Sequence, residues 1–410
     1  MTTSPPSNEN RSEKRSNNRS VWTVFLIFLR LGLTSFGGPV AHLGYFREEF
    51  VTRRQWLSDR SYADLVALCQ FLPGPASSQV GIALGFSRAG YAGALAAWAG
   101  FTLPSAIVLI LFAIGISSAG NSFSAGALHG LKIVAVAVVA QAVWGMARSL
   151  CTDEKRISIM MLATCAVLLM PSVWAQVGVI IVAGISGVAL FKPAQLAPHD
   201  PLPIQISRRT GSLWLALFFI LLILLPLASE AMPGQTLAIV DAFYRAGSLV
   251  FGGGHVVLPL LQTEVVPTGW VEEQVFLAGY GATQAMPGPL FTFAAFLGAS
   301  MTSAPSGWAG GLIALIAIFI PSFLLVVGAL PFWEQLRQNL RTQAALSGIN
   351  ASVVGLLLAA LYQPVWTSAI LSTQDFCLAL IAFVALMFWK LPPWLVVMVG
   401  GLTGWLLHLI

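Results

Sequence analysis

Charge is what this sequence has least of. Only 9% of its 410 residues are Asp, Glu, Lys or Arg, where an average soluble domain has roughly 25%. A water-soluble fold of this length could not cover its surface with so few charges, which excludes an ordinary soluble enzyme, a nucleic-acid binder and a disordered scaffold. The 21 basic and 16 acidic residues leave a formal charge of +5, too sparse for a polyanion-binding surface. Cysteine is scarce too. Cys69, Cys151, Cys165 and Cys377 show no C-x-x-C spacing, so neither a zinc site nor a disulfide framework is suggested, and they read as buried apolar side chains. No GxxxxGK[ST] and no HExxH occurs, which disfavours an ATP-driven pump and a zinc hydrolase. Neither metal nor cofactor is expected.

What the chain has instead is apolar length. It is 57% hydrophobic, with a mean hydropathy of +0.81. The class that fits is a polytopic all-α membrane protein. Residues 1–20 are polar and basic and read as a disordered cytoplasmic tail, not a cleaved signal.

The sequence also repeats itself. FLRLGLTSFGGP, starting at Phe28, returns as FYRAGSLVFGGG at Phe243, identical at six of twelve positions. Trp56 returns as Trp270, QFLPGP at Gln70 as QAMPGP at Gln284, and Pro104-Ser105 as Pro321-Ser322. This order predicts two homologous halves, 21–190 and 236–410, joined by segment 191–235, which holds a polar linker and one unpaired apolar run at 213–228. A single unpaired span would invert the second half. Charge bias agrees. Segment 44–60 carries Arg47, Arg53, Arg54 and Arg60, whereas its counterpart 258–274 has no Lys or Arg. The positive-inside rule places the first in the cytoplasm and the second outside. The N-terminus is then cytoplasmic and the C-terminus external. The expected fold has two inverted-topology repeats, each with two re-entrant helical hairpins and about four spans, joined by one extra transmembrane helix.

The hairpins are expected to turn at Gly37-Gly38-Pro39 and Pro73-Gly74-Pro75, and in the second half at Gly252-Gly253 and Pro287-Gly288-Pro289. Backbone opened at membrane depth must line a cavity or be buried in protein. Helix N-termini exposed there attract anions, and Ser77 could add a donor. A single such break is more simply a kink, but four in register favour a site. Arg30 and Arg245 repeat two turns before their breaks. They are read as supplying positive charge to an oxyanion, against the plainer reading of pairing with Glu49 or Glu264. Glu49 and Glu264 are matched and could carry a coupling proton if buried, although Glu49, set among arginines, reads rather as a solvated interfacial face. Asp64 and Asp241 have no acidic counterpart and rank lower. His42, His129 and His255 are likewise single and read as packing residues rather than a proton relay. Gln70 and Gln284, three residues before their PGP, could contact the ligand or brace the turn.

These motifs resemble the chromate ion transporter family. The resemblance rests on FLRLGLTSFGGPVAHLGYFREEFV, RQWLSD, ALCQFLPGPASSQVGIALG, FYRAGSLVFGGGHVVLPLLQTEVV and YGATQAMPGPLFTFAAFLGA, and covers both halves. It implies a bacterial inner-membrane protein that exports chromate and confers resistance, with sulfate as the competing tetrahedral dianion. Its implied motif positions are Arg30, Gly37, Gly38, Gln70, Pro73, Gly74, Pro75, Arg245, Gly252, Gly253, Gln284, Pro287, Gly288 and Pro289. One departure, Gly254 in place of Pro39, predicts that the two hairpins are not equivalent. The expected partners are the oxyanion and the bilayer, without nucleic acid; a homodimer stays open. The rival readings are a sulfate- or molybdate-type carrier, a passive anion channel, and remotely an intramembrane hydrolase built on the GxSG of Gly184–Gly187.

Overall fold

A computed structural model describes residues 20–119, 125–192, 206–232 and 234–407. The expected tail, apart from Ser20, and most of the linker lie outside these residues. The described residues are helical with no strand. In the first half, α1 (Val21–Thr34) ends before the first break. Then come α2 (Gly38–Arg47) and a π-helical turn to Arg53. Next are α3 (Asp59–Phe71), α4 (Ala76–Ala119), α5 (Ala125–Leu150), α6 (Glu154–Leu169) and α7 (Val173–Leu190). The long α4 is two helices joined end to end, with non-helical backbone at Ala89 and Gly90. The connecting α8 (Arg208–Ala231) follows. The second half repeats the series: α9 (Gln235–Leu249), α10 (Val257–Val265), α11 (Glu273–Thr283), α12 (Phe293–Ala299) and α13 (Gly307–Ala329). It continues with the short α14 (Trp333–Gln338), then α15 (Leu340–Ala360), α16 (Thr373–Met387) and α17 (Pro393–Leu407).

Six helical stretches among the described residues are long and apolar enough to cross a membrane. At ~1.5 Å per residue, the 24 residues of α8 span about 36 Å, more than the ~30 Å hydrocarbon core. Its Leu213, Phe219, Ile223, Leu224 and Leu227 are exposed, a face suited to lipid. The local chemistry sets the helix ends. Asp153 caps α6 by accepting the Arg156 N–H at 3.0 Å, and this bond lowers the pKa of its carboxyl. Ser372 and Asp375 form a capping box at the start of α16.

The two halves interlock. α1 packs along α4, and α9 packs along α13 in the same way. The later helices exchange partners: α5 packs on α16 and α17 of the second half, and α15 on α6 and α7 of the first. Glycine allows the closest approach. A Cβ added at Gly130 would lie 2.2 Å from the Gly400 carbonyl oxygen, and at its repeat counterpart Gly348 2.0 Å from that of Ala183. Without a hydrophobic drive between helices inside lipid, such backbone contact is a main source of adhesion.

A buried ion pair adds a second tie. Arg337 on α14 donates to Asp64 on α3 at 2.6 Å, and the Trp333 indole N–H donates to the other carboxylate oxygen at 2.9 Å. Both charged side chains are under one-tenth exposed. Arg337→Ala removes this cation from the buried Asp64 and is expected to destabilise the protein, by up to about 3–5 kcal/mol. Thermal unfolding in detergent reads this; an unchanged midpoint would show that the pair does not hold α3 against the second half.

Candidate functional site

All four expected breaks interrupt helix. α1 ends at Ser35 and α9 at Val250, each an extended cap residue. Leu72 to Pro75 separate α3 from α4, and residues 284–289 separate α11 from the short 3-10 turn that leads into α12. Gly74 and Gly288 sit at φ +121° and +87°, conformations that side chains other than glycine rarely adopt.

Each break meets the break of the opposite half. The Gly74 N–H donates to the Val250 carbonyl at 2.7 Å, and the Gly288 N–H donates to the Ser35 carbonyl at 2.9 Å. Helix ends leave carbonyls without an intrahelical donor, and a buried N–H requires an acceptor. Crossing the two halves satisfies both. The amide of each PGP glycine is thus engaged across the halves and is not free for an anion. Serines of the repeated Pro-Ser motif join the crossing. Ser105 Oγ on α4 donates to the Pro287 carbonyl. Ser322 Oγ on α13 would lie 2.9 Å from a Cβ at Gly74. Gln79 braces the first triplet by donating from Nε2 to the Pro73 carbonyl at 2.6 Å.

A cavity of about 100 Å³ lies where the first-half GG break meets the second-half PGP break. A single water needs only about 10–15 Å³ of such space, so the cavity has room for several. Its lining includes Gly37, Gly38, Gln141, His255, Gln284 and Gly288. The Gln284 Nε2 donor is buried without a partner among the described residues. The Gly37 and Gly38 amides bond no carbonyl of another described segment. Ser35, just before the break, is fully buried with an unpartnered hydroxyl. Unpaired buried donors in low dielectric are costly unless a ligand or water accepts from them.

The remaining sequence-derived positions lie elsewhere. Pro73, Gly74, Pro75 and Ser77 form the other crossing, where the Ser77 hydroxyl is 3.4 Å from His42 Nδ1. Gly252 is packed apolar: a Cβ there would meet Met146, Leu150 and Val353 at 3.3–3.5 Å. Gln70 is exposed on α3 and is not among the cavity-lining residues.

The matched arginines do not flank one site. Arg30 is exposed on α1 and outside the cavity lining. Arg245 is taken up by two carboxylates: its fork donates to both Glu264 oxygens at 3.0 Å and to Asp241 at 2.8 Å. The three side chains are only 10–14% exposed, and Trp174 of α7 lies 5.8 Å from the guanidinium. The two glutamates also differ. Glu49 is buried rather than solvated, and pairs with Arg54 at 2.7 Å and Arg53 at 3.7 Å. The π-helical turn carries it inward between arginines of its own segment.

Neither Gln141 nor His255 repeats, their register counterparts being Ala359 and Val40; a reading by matched positions passes over Gln141 and leaves His255 as a packing residue. The Pro-Ser repeat was the available signal for Ser105 and Ser322.

Comparison with known proteins agrees with this architecture. The family model described as chromate transporter matches residues 22–188 and again 237–405. An uncharacterized transporter of Methanocaldococcus jannaschii is 29% identical over 359 residues, 85% of each chain. A chromate transport protein of Pseudomonas aeruginosa is 27% identical over 398 residues, 93% of this chain and 91% of its own. A probable chromate transport protein of Synechococcus elongatus is 26% identical over 386 residues, 92% of this chain and 93% of its own. No solved structure matches the chain. Matched twice by one family model across two interlocked halves, the chain belongs to the chromate transporter family.

Proposed function

We propose that the protein is a secondary carrier that exports chromate across the inner membrane, and that the dianion binds in the cavity between Gly37-Gly38 and the 284–288 turn. The observation that carries this reading is that opposite halves line one cavity, Gly37 and Gly38 from one and Gln284, whose Nε2 is buried without a partner among the described residues, from the other. A neutral, donor-rich pocket at a helix break suits an oxyanion.

Alternating access follows from the asymmetry. The first GG break opens on the cavity, while the second is covered by Met146 and Leu150. In an inverted repeat the opposite-facing state exchanges these roles. Met146 then withdraws from Gly252, and Gln70 takes the part that Gln284 plays here. The odd connecting helix, α8, supplies the inversion. Ser207→Cys is therefore expected to label from the cytoplasm and Thr268→Cys from outside; labelling from one side only would contradict the inversion.

The functional test uses the full chain in proteoliposomes. Chromate should accumulate against its gradient when an ion gradient is imposed, and sulfate should compete. Gln284→Leu should weaken chromate binding at least about tenfold, or 1.4 kcal/mol. Flux only down the gradient would make the protein a channel, and normal binding in Gln284→Leu would move the site elsewhere.

A further inference from the structure

The cavity proposed above for the dianion holds no fixed positive charge. Among its described lining residues there is no Lys or Arg, and His255 alone is titratable. Each packed element contributes neutral groups: Gly37, Gly38 and Pro39 from the first break, Val138 and Gln141 from α5, and Thr283 and Gln284 where α11 ends. Met286, Gly288 and Leu290 come from the second PGP turn, and Pro393 from α17. Hydrogen bonds from neutral donors compensate a doubly charged solute only in part at low dielectric.

His255 has a neighbour suited to a change of charge. Its Nδ1 lies 2.8 Å from the hydroxyl of Tyr280, a side chain of α11 that is fully buried. A phenol both donates and accepts. The neutral ring accepts the Tyr280 O–H at Nδ1; the protonated ring donates Nδ1–H to the same oxygen. Either state keeps the ring in place, and protonation leaves both nitrogens as donors. No carboxylate lines the cavity to hold a proton there when the anion is absent.

Resting on the site proposed above, we infer that His255 is the proton-binding group of the carrier: chromate enters the cavity together with one proton, taken from solution onto the imidazole, and the pair moves with net charge −1. Tyr280 is its positioning residue. The Asp241–Arg245–Glu264 cluster lies outside the cavity lining and already contains its own countercharge.

The test measures binding of radiolabelled chromate to purified full-length protein between about pH 7 and pH 8.5, above the ordinary imidazole pKa and above the range where chromate itself takes up a proton. Proton movement is then followed with a pH-sensitive dye in proteoliposomes. Because the bound state carries the extra proton, the apparent Kd should rise with pH, approaching tenfold per pH unit once free His255 is neutral. His255→Gln should bind weakly, with no such slope, and should move chromate without the proton. Tyr280→Phe should keep a slope but displace the pH at which it begins. A wild-type slope in His255→Gln overturns the assignment. If that occurs while Gln284→Leu still weakens binding at every pH, the cavity stands and only the proton assignment falls. If neither variant alters binding, the cavity falls with it.

Discussion

Gly288→Ala is expected to weaken chromate binding by at least about tenfold, or 1.4 kcal/mol, with the protein still in the membrane. Three effects coincide at this residue. Its φ of +87° is strained for any side chain, at a cost of about 1–3 kcal/mol. The new Cβ would lie 2.9 Å from the Phe101 carbonyl oxygen and 3.1 Å from Ser105 Oγ, and overpacking of this kind costs about 1–3 kcal/mol more. Relief requires the turn to move, which breaks the Gly288 N–H bond to Ser35 and shifts the cavity wall. Gly269→Ala is the control. It shares a positive φ of +72°, but its Cβ would meet nothing within 4 Å. Binding should survive there. Equal loss in both variants would show that backbone strain alone matters and that the crossing of the breaks does not.

The second large effect separates the two arginines. Arg245→Ala leaves Asp241 and Glu264 buried without their cation, and is expected to destabilise the protein by about 3–5 kcal/mol. Arg30→Ala, on an exposed face, should cost less than about 1 kcal/mol. Unfolding midpoints in detergent compare them. A triple variant, Asp241→Asn with Arg245→Met and Glu264→Gln, removes all three charges together. If Arg245 is a brace, the triple regains stability and transports chromate. If it is a ligand, stability returns without transport.

Much of this architecture was legible because symmetry writes itself twice. The 215-residue shift between Phe28 and Phe243 marks two packing units, and glycine or proline at matched positions marks where a helix cannot continue. The unpaired run at 213–228 announced α8. What the repeat could not show is the partner of each break. Ser35 and Gly288 are 253 positions apart, and no local periodicity encodes a bond of that range. It also could not say which face of α1 carries Arg30, since helical spacing fixes relative direction and not the neighbour. The residues that distinguish the cavity, Gln141 and His255, each occur in one half only. A search for matched positions passes over the first and leaves the second as a packing residue. A single dianion has no need of two equal sites, so the chemistry that binds it need not follow the symmetry of the fold.

The most direct measurement is an anomalous-scattering map of the full-length protein with chromate bound, which locates chromium without reference to any variant. The account predicts one peak between the first-half glycines and the 284–288 turn, with an oxygen within hydrogen-bond reach of Gln284. A peak beside Arg30 or Arg245, or at Gly252 with the first-half cavity unfilled, would contradict it.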